Sequence, residues 1–441
     1  MYGSAGFGRE PTPTPPVPFV ERELSLANAY GGKQEWDGLE VPFVSNPTGK
    51  GFYSDAKRAI EQPGEEGLSH FLEHMFFKGT RSRSATQISR EIDALGGEMN
   101  AFTTRETTTF YVKVLDQQLE AALELLSDLF YRSRFESKEV EKEKQVVLEE
   151  IRMVQDDPED LVQELHMKHT LGSHPLGRPI LGQAPRIQAL GRKDLVSYVG
   201  SHYDPERTVV AVAGNFTWKR LEQLLARYFS AAHKGVAVKQ TRRPPEVSGG
   251  VLVRRKALEQ VHLCLGLQGL GAGHKDRYAA HALNGVLGGS VSSRLFQEVR
   301  EKRGLVYSIY SFLSTYSDGG MTTVYAGTRP KEVERVVEVV CRELKKLRSK
   351  GIDAKDLARV KNQMKGSLML SLESSHSRMS KLAKDELTQG SHVSLEQMIG
   401  EIDRVTTDQV YRVAQTLLDQ RCLAITALGP IPANSLQSFA S

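Results

Sequence analysis

Cysteine is scarce in this chain: three residues among 441, Cys264, Cys341 and Cys422, odd in number and far apart. In apolar settings such as "VHLCLGL" they suit reduced core thiols in a reducing compartment better than a disulfide framework or a Cys-type zinc site. Long apolar runs are missing too. Nothing approaches the roughly 18 residues of a membrane span, and "MYGSAGFGREPTPTPPVPFV" has no basic segment followed by an apolar one. No membrane span and a cytoplasmic setting are therefore expected. A dominant charge is also lacking. The 58 basic and 54 acidic residues are mixed to a net +4, without the Lys/Arg tracts or interleaved aromatics of a nucleic-acid groove, so no nucleic-acid partner is expected. What remains is ordinary globular composition, 39% hydrophobic and 25% charged, long enough for two or more domains.

The chain is written twice. "FESKEVEKEKQVV" (Phe135 to Val147) has a counterpart in "IDAKDLARVKNQM" (Ile352 to Met364), with Lys138 matching Lys355. A long amphipathic helical pattern precedes each copy, and further upstream each has a charged helix, a glycine and β-type segments rich in Thr, Tyr and Val. Between the halves lie the apolar strand "TVVAVAGNF", a helix starting at Trp218 and a polar, Pro- and Gly-broken stretch. The expected fold is α+β: two homologous domains from an internal duplication, each a mixed or antiparallel sheet packed against helices. Their expected limits are a flexible tail over 1–23, a metal-binding domain over 24–232, a linker over 233–250 and the second domain over 251–432.

Metal-type side chains are concentrated in the first copy. In "GLSHFLEHMFFKG", His70 and His74 stand one helical turn apart on one face with Glu73 beside them. Two imidazoles and a carboxylate base suit a catalytic zinc, whose bound water must lose a proton, and His-x-x-Glu-His is the inverse of the zincin order. The alternative is two polar residues on an amphipathic helix, so a third ligand decides. Glu143 and Glu150 lie seven apart on one helix face, with Glu141 and Glu149 off it. The repeat maps Glu143 onto Val360 and Glu150 onto Ser367, and Gly285 stands four residues after His281 where a second histidine would be. A rival pair, His166 and His169, has Lys168 between them and reads as a solvated helix face.

This combination resembles the insulinase/pitrilysin family of zinc metalloendopeptidases, in size the members related to bacterial and mitochondrial processing peptidases. The resemblance spans almost all of Pro42 to Pro430. It implies one Zn²⁺ per chain on His70, His74 and Glu150, Glu73 as general base, and Glu143 holding a ligating histidine. By the same resemblance "NAFT" is the edge strand for a peptide or unfolded polypeptide, with Asn100, Ala101 and Phe102 along it. Arg300 and Tyr307 in "LFQEVREKRGLVYS" reach the substrate from the second half, "HPLGRPILG" (His174 to Gly182) is structural, and the chain works as a homodimer or a heterodimer with a related subunit. Taken alone, Arg300 reads as a salt-bridged surface residue and Tyr307 as a core aromatic. "LGGSVSSRLF" reads as a substrate-facing loop or as a helix end at Gly288 and Gly289.

Two features depart from or add to the pattern. Ahead of the motif the family has two long apolar strands, whereas here only "LEVPFV" and "GFY" are present, broken by Pro42 and Pro47. Directly after Glu150, Asp156, Asp157, Glu159, Asp160 and Glu164 form an acidic run. If it faces the site, Asp160 and Glu164 favour basic residues near the scissile bond; otherwise these groups cap a helix starting at Pro158.

Overall fold

A computed structural model describes residues 39–45, 61, 63–203, 208–229 and 243–439. The expected tail, the "GFY" segment and most of the linker lie outside the described residues. Element order in the first half is β1 (Leu39–Ser45), α1 (Leu68–Phe76), α2 (Ala85–Ala94), β2 (Glu98–Thr103), β3 (Thr108–Val114), α3 (Leu119–Arg132) and α4 (Ser137–Asp156). It continues with α5 (Pro158–Leu171), α6 (Ala184–Ala189), α7 (Arg192–His202), β4 (Thr208–Val210) and α8 (Trp218–Phe229). The second half runs β5 (Gly250–Arg255), β6 (Val261–Gly269), α9 (Arg277–Leu287), a π-helical segment Phe296–Glu301, β7 (Val306–Thr315), β8 (Gly320–Thr328) and α10 (Val333–Lys350). It closes with α11 (Ala354–Ser371), α12 (Ser375–Gln389), α13 (Leu395–Arg404), α14 (Thr407–Leu417) and β9 (Ala424–Gly429).

The duplication is visible in the sheets. The first has strand order β2-β3-β1-β4, all antiparallel; the second has β7-β8-β6-β9-β5, with β5 parallel to β9. Aligned by the repeat, β7, β8, β6 and β9 occupy the places of β2, β3, β1 and β4. "LEVPFV" forms an interior strand, paired on both sides. β1 pairs with β3 from Leu39↔Val114 to Ser45↔Thr108, and its ladder with β4 starts at Phe43, just after Pro42, which has no N–H to donate. The strand expected over "TVVAVAGNF" is reduced to three residues.

One apolar core fills each half. In the first, Phe71, Leu72, Met75 and Phe76 of α1 meet Phe110 and Val112 of β3 and Val147, Leu148 and Ile151 of α4. Each such side chain contributes about 1.5–3 kcal/mol through burial. Phe135, just ahead of α4, takes a left-handed φ of 47°, which costs a non-glycine residue ~1 kcal/mol or more. Its buried ring meets Phe76 edge-on at 5.4 Å, and that packing offsets the strain.

The halves exchange equivalent helices. α5 follows α4 and lays Leu161 and Val162 on Cys264, Tyr325 and Leu428 of the second sheet. α12 follows α11 and packs Met379 and Ala383 with Ala211 and Tyr111 of the first. At the hairpin tips, Glu106 of the β2–β3 turn accepts hydrogen bonds from the Ser317 amide (3.0 Å) and hydroxyl (2.7 Å) in the β7–β8 turn. The α5 contact corrects the reading of His166 and His169 as a solvated face. His166 is 1% exposed, and both histidines place Nδ1 against Thr426 Oγ1, at 2.9 and 3.1 Å. Val162, His166, His169 and Thr170 recur at helical spacing, a stripe that carried the signal. Cys422 is exposed, not a core thiol, while Cys264 is buried; all three cysteines are free. Among the described residues no helix is long and apolar enough to cross a membrane.

Candidate metal centre

α1 is held at its start by two close backbone approaches. Gly67 has φ 86°, and a Cβ there would lie 2.8 Å from Gly182 Cα; a Cβ on Gly182 would lie 2.5 Å from Glu66 O. "HPLGRPILG" therefore braces the helix that carries the histidines. Glu61 supplies a side-chain cap, accepting from the N–H groups of Gly67 (3.0 Å) and Ser69 (2.9 Å). With Leu68, Phe71, Leu72 and Met75 turned into the core, helical periodicity leaves His70, Glu73 and His74 on a partly exposed flank, both histidines toward Glu150 of α4.

There three donors converge. Glu150 Oε2 lies 3.6 Å from His70 Nε2 and 3.5 Å from His74 Nε2, and the ligand atoms all fall within 4.8 Å of one another. Tetrahedral zinc with bonds of about 2.0–2.2 Å sets its donors roughly 3.4 Å apart, so the spacing fits. Glu150 Oε2 is buried and has no hydrogen-bond partner among the described residues, an unfavourable state for a carboxylate oxygen that a cation relieves. Among the described residues this is the one group of His, Cys, Asp or Glu donors close enough to share an ion. Glu141 and Glu149 point elsewhere, to Lys144 and Arg152.

Glu143 sets the tautomer of His74. Its Oε1 is 2.8 Å from His74 Nδ1, and its Oε2 is 2.7 Å from Lys78 Nζ. Burial raises the Glu143 pKa, but the bonds to His74 and Lys78 outweigh it and hold the carboxyl ionised below its usual range. A carboxylate only accepts, so Nδ1 carries a proton, and in the neutral imidazole Nε2 keeps its lone pair toward Glu150. For His70, burial first and then the charge of His74 lower the pKa to about 4, leaving a neutral imidazole at neutral pH. For His74, burial is outweighed by the Glu143 bond and the surrounding carboxylates, and its pKa rises.

Glu73 faces the edge strand. Thr103 Oγ1 donates to Glu73 Oε2 at 2.5 Å, and burial raises the Glu73 pKa more than this bond and His74 lower it. β2 is an outer strand of its sheet, and Phe102 stands exposed on it. The Ala101 amide donates to Asn100 Oδ1 at 2.8 Å.

Comparison with known proteins identifies the family and the fold. Residues 58–184 match the family model "Insulinase (Peptidase family M16)", and residues 189–364 match "Peptidase M16 inactive domain". The uncharacterized zinc protease YmxG of Bacillus subtilis is 42% identical over 90% of this chain and 98% of its own length. The chain belongs to the M16 peptidase family. The fold agrees: a protease from Helicobacter pylori superposes with a TM-score of 0.81 at 24% identity, covering 90% of this chain and 95% of that one. An M16 inactive domain from Pseudomonas fluorescens gives 0.81 at 21%, covering 90% and 94%.

In this M16 chain the second-half pair is presented by two irregularities. Arg300 sits in the π-helical segment, and Tyr307 is the extra residue of a β-bulge, since Val306 pairs with Thr328 and Ser308 with Gly327. Such distortions re-aim side chains. Tyr307 is 79% exposed, so it is no core aromatic. Arg300 makes no ion pair among the described residues, while its neighbour Glu298 pairs with Lys302 and Arg303. The guanidinium instead lies between the rings of Phe296 (4.7 Å) and Tyr307 (5.4 Å). No hydrogen bond or ion pair joins this pair to the His70 cluster among the described residues. The glycines of "LGGSVSSRLF" close α9, both amides donating to Asn284 O, and a Cβ on Gly288 would lie 2.6 Å from Ser311 N.

The acidic run is divided among other tasks. Asp157 caps α5 by accepting from the amides of Glu159 (2.8 Å) and Asp160 (3.0 Å), and Glu159 accepts from Tyr310 at 2.5 Å. Glu164 is bound to Arg105 at 2.7 Å, which also donates to Leu176 O. Of the two carboxylates expected to meet a basic substrate, only Asp160 has no ion-pair partner among the described residues.

Proposed function

We propose that the chain is a zinc-dependent endopeptidase acting on peptides or on unfolded, presequence-like polypeptides, with one Zn²⁺ held by His70, His74 and Glu150. One observation carries this reading. The three donors meet at zinc spacing in the half that matches the peptidase model, whereas Gly285, Val360 and Ser367 stand at the corresponding places in the half that matches the inactive-domain model.

A zinc ion there supplies Lewis acidity, lowering the pKa of water and polarising the scissile carbonyl. The chain's own residues do the rest. The edge of β2 at Asn100, Ala101 and Phe102, unpaired among the described residues, receives an extended peptide through main-chain hydrogen bonds, which give affinity with loose sequence preference. Glu73 takes a proton from water and passes it to the leaving amine. Arg300 and Tyr307 offer donors for the oxyanion, each typically worth about 3 kcal/mol in the transition state. A cytoplasmic setting accompanies this reading, supported by three free thiols, and so does assembly as a homodimer or with a related subunit. The alternative, an inactive partner subunit of the same fold, is disfavoured by the complete donor set.

The test is zinc content together with hydrolysis of fluorogenic peptides, with and without chelator. Stoichiometric zinc and chelator-sensitive cleavage are expected, and Glu73→Gln lowers cleavage by ~10² or more with zinc retained. A metal-free, inactive wild type returns the chain to the partner-subunit reading, and full activity in Glu73→Gln removes the base.

A further inference from the structure

We propose that Thr103 is a positioning residue for Glu73: its hydroxyl holds carboxylate Oε2, so that Oε1 is the oxygen left to take the proton. The proposal rests on the metallopeptidase reading above. Strand alternation puts Met99, Ala101 and Thr103 on the face of β2 turned toward α1, and the first two pack on the core. Thr103 ends that row and donates to Glu73 at 2.5 Å, the short distance of a hydroxyl bonded to a charged carboxylate. It is the one hydrogen-bond partner of the Glu73 side chain among the described residues.

The anchor is stiff. Thr103 is β-branched and paired in register with Thr108 of β3, whose buried hydroxyl lies 3.3 Å from its own. The Thr103 proton is committed to the carboxylate, so its lone pair accepts from Thr108, giving a directed chain Thr108→Thr103→Glu73. Glu73 has three rotatable side-chain bonds, and this chain restricts them. Thr103 also shares β2 with Asn100, Ala101 and Phe102. The element proposed to register the peptide therefore also aims the base, and the two are set together.

The second half offers a built-in control. At the position equivalent to Glu73, Asn284 accepts from Ser311 Oγ on β7 at 2.7 Å. A helix-to-strand tie thus exists where there is no donor cluster, and the competing account of Thr103 is a tie of that structural kind.

The experiment compares Thr103→Val, Thr103→Ser and Ser311→Ala in the full chain. Thr103→Val should lower kcat ~10- to 100-fold with KM within about twofold, zinc content unchanged, and Thr103→Ser should restore most of the rate. Ser311→Ala should lower Tm without this kcat effect. Wild-type kcat in Thr103→Val, equal damage in Thr103→Ser, or the same kcat loss in Ser311→Ala overturns the proposal. Crystal structures give a readout independent of turnover: Glu73 should leave its rotamer in Thr103→Val and keep it in Thr103→Ser, and an unmoved Glu73 in the valine variant also overturns it. Chelator-insensitive cleavage by wild type, or an active Glu73→Gln, is instead a failure of the peptidase reading.

Discussion

The α1–α4 contact and its twin, the α9–α11 contact, are built on one topology and have opposite contents. In the first, His74 and Glu143 meet through a 2.8 Å hydrogen bond, and Glu150 stands near both imidazoles with its buried oxygen unsatisfied. In the second, Gly285 lies where the second histidine would be and packs directly on Val360, the counterpart of Glu143; a Cβ on Gly285 would sit 2.7 Å from Val360 Cγ1. Ser367, the counterpart of Glu150, is exposed. The fold does not need polar groups between these helices, and close apolar contact serves the second half. The costly arrangement in the first half is the one a metal site requires.

The largest expected effect separates the two contacts directly. His74→Ala or Glu150→Gln should strip zinc and lower peptide hydrolysis by ~10³ or more, the several kcal/mol a metal contributes. His281→Ala and Glu149→Gln should leave zinc content unchanged. A metal analysis showing equal losses in all four variants breaks the comparison. Next, Tyr307→Phe should reduce kcat ~10- to 10³-fold with zinc content and Tm unchanged, because the ring is exposed on a bulge. An unchanged kcat removes the second half from the site.

Smaller in scale is the packing of the second contact. Gly285→Ala should destabilise by about 1–3 kcal/mol through overpacking, against the helix-propensity gain of alanine, and Val360→Ala in the same chain should recover part of it. Denaturant unfolding of the two variants measures this; a stabilised Gly285→Ala means that the helices separate freely. The effect that is smallest near neutral pH concerns the helix exchange. Burial, then the neighbouring His169, lower the His166 pKa to about 3, while the unfolded chain titrates near 6.5. The unfolded state therefore binds more protons between those values, and stability falls as pH drops below ~6.5 and continues to fall toward 3. His169 is lowered as well, so Tm against pH should flatten in His166→Gln without becoming level.

Much of the candidate site was legible because it is local. A rise of 1.5 Å and 100° per residue places His70 with His74 and Glu143 with Glu150 whatever the rest of the chain does, and it excludes Glu149 from the same face. The repeat was legible for the same reason, since periodicity and glycine positions survive duplication, and the antiparallel order β2-β3-β1-β4 reappears in the second sheet. Loss of the donors at Gly285, Val360 and Ser367 is likewise a matter of residue identity.

Tertiary structure decided what depends on a partner distant in the chain. That α4 lies against α1, so that Glu150 reaches both imidazoles, is set by the shared core of Phe71, Met75, Val147 and Ile151. Thr103 acquires its role through α1, Glu164 is taken by Arg105, and His166 is buried against a sheet whose Thr426 lies 260 residues away in sequence; a local pattern carries no term for any of these. Tyr307 faces solvent because one extra residue on β7 shifts the pleat, an effect of pairing with β8 that period-2 reading of a single strand cannot contain. The residue types and their helical spacing were written in the sequence, and which of them meet was determined by the burial of apolar faces, which is non-directional and is resolved only when the elements pack.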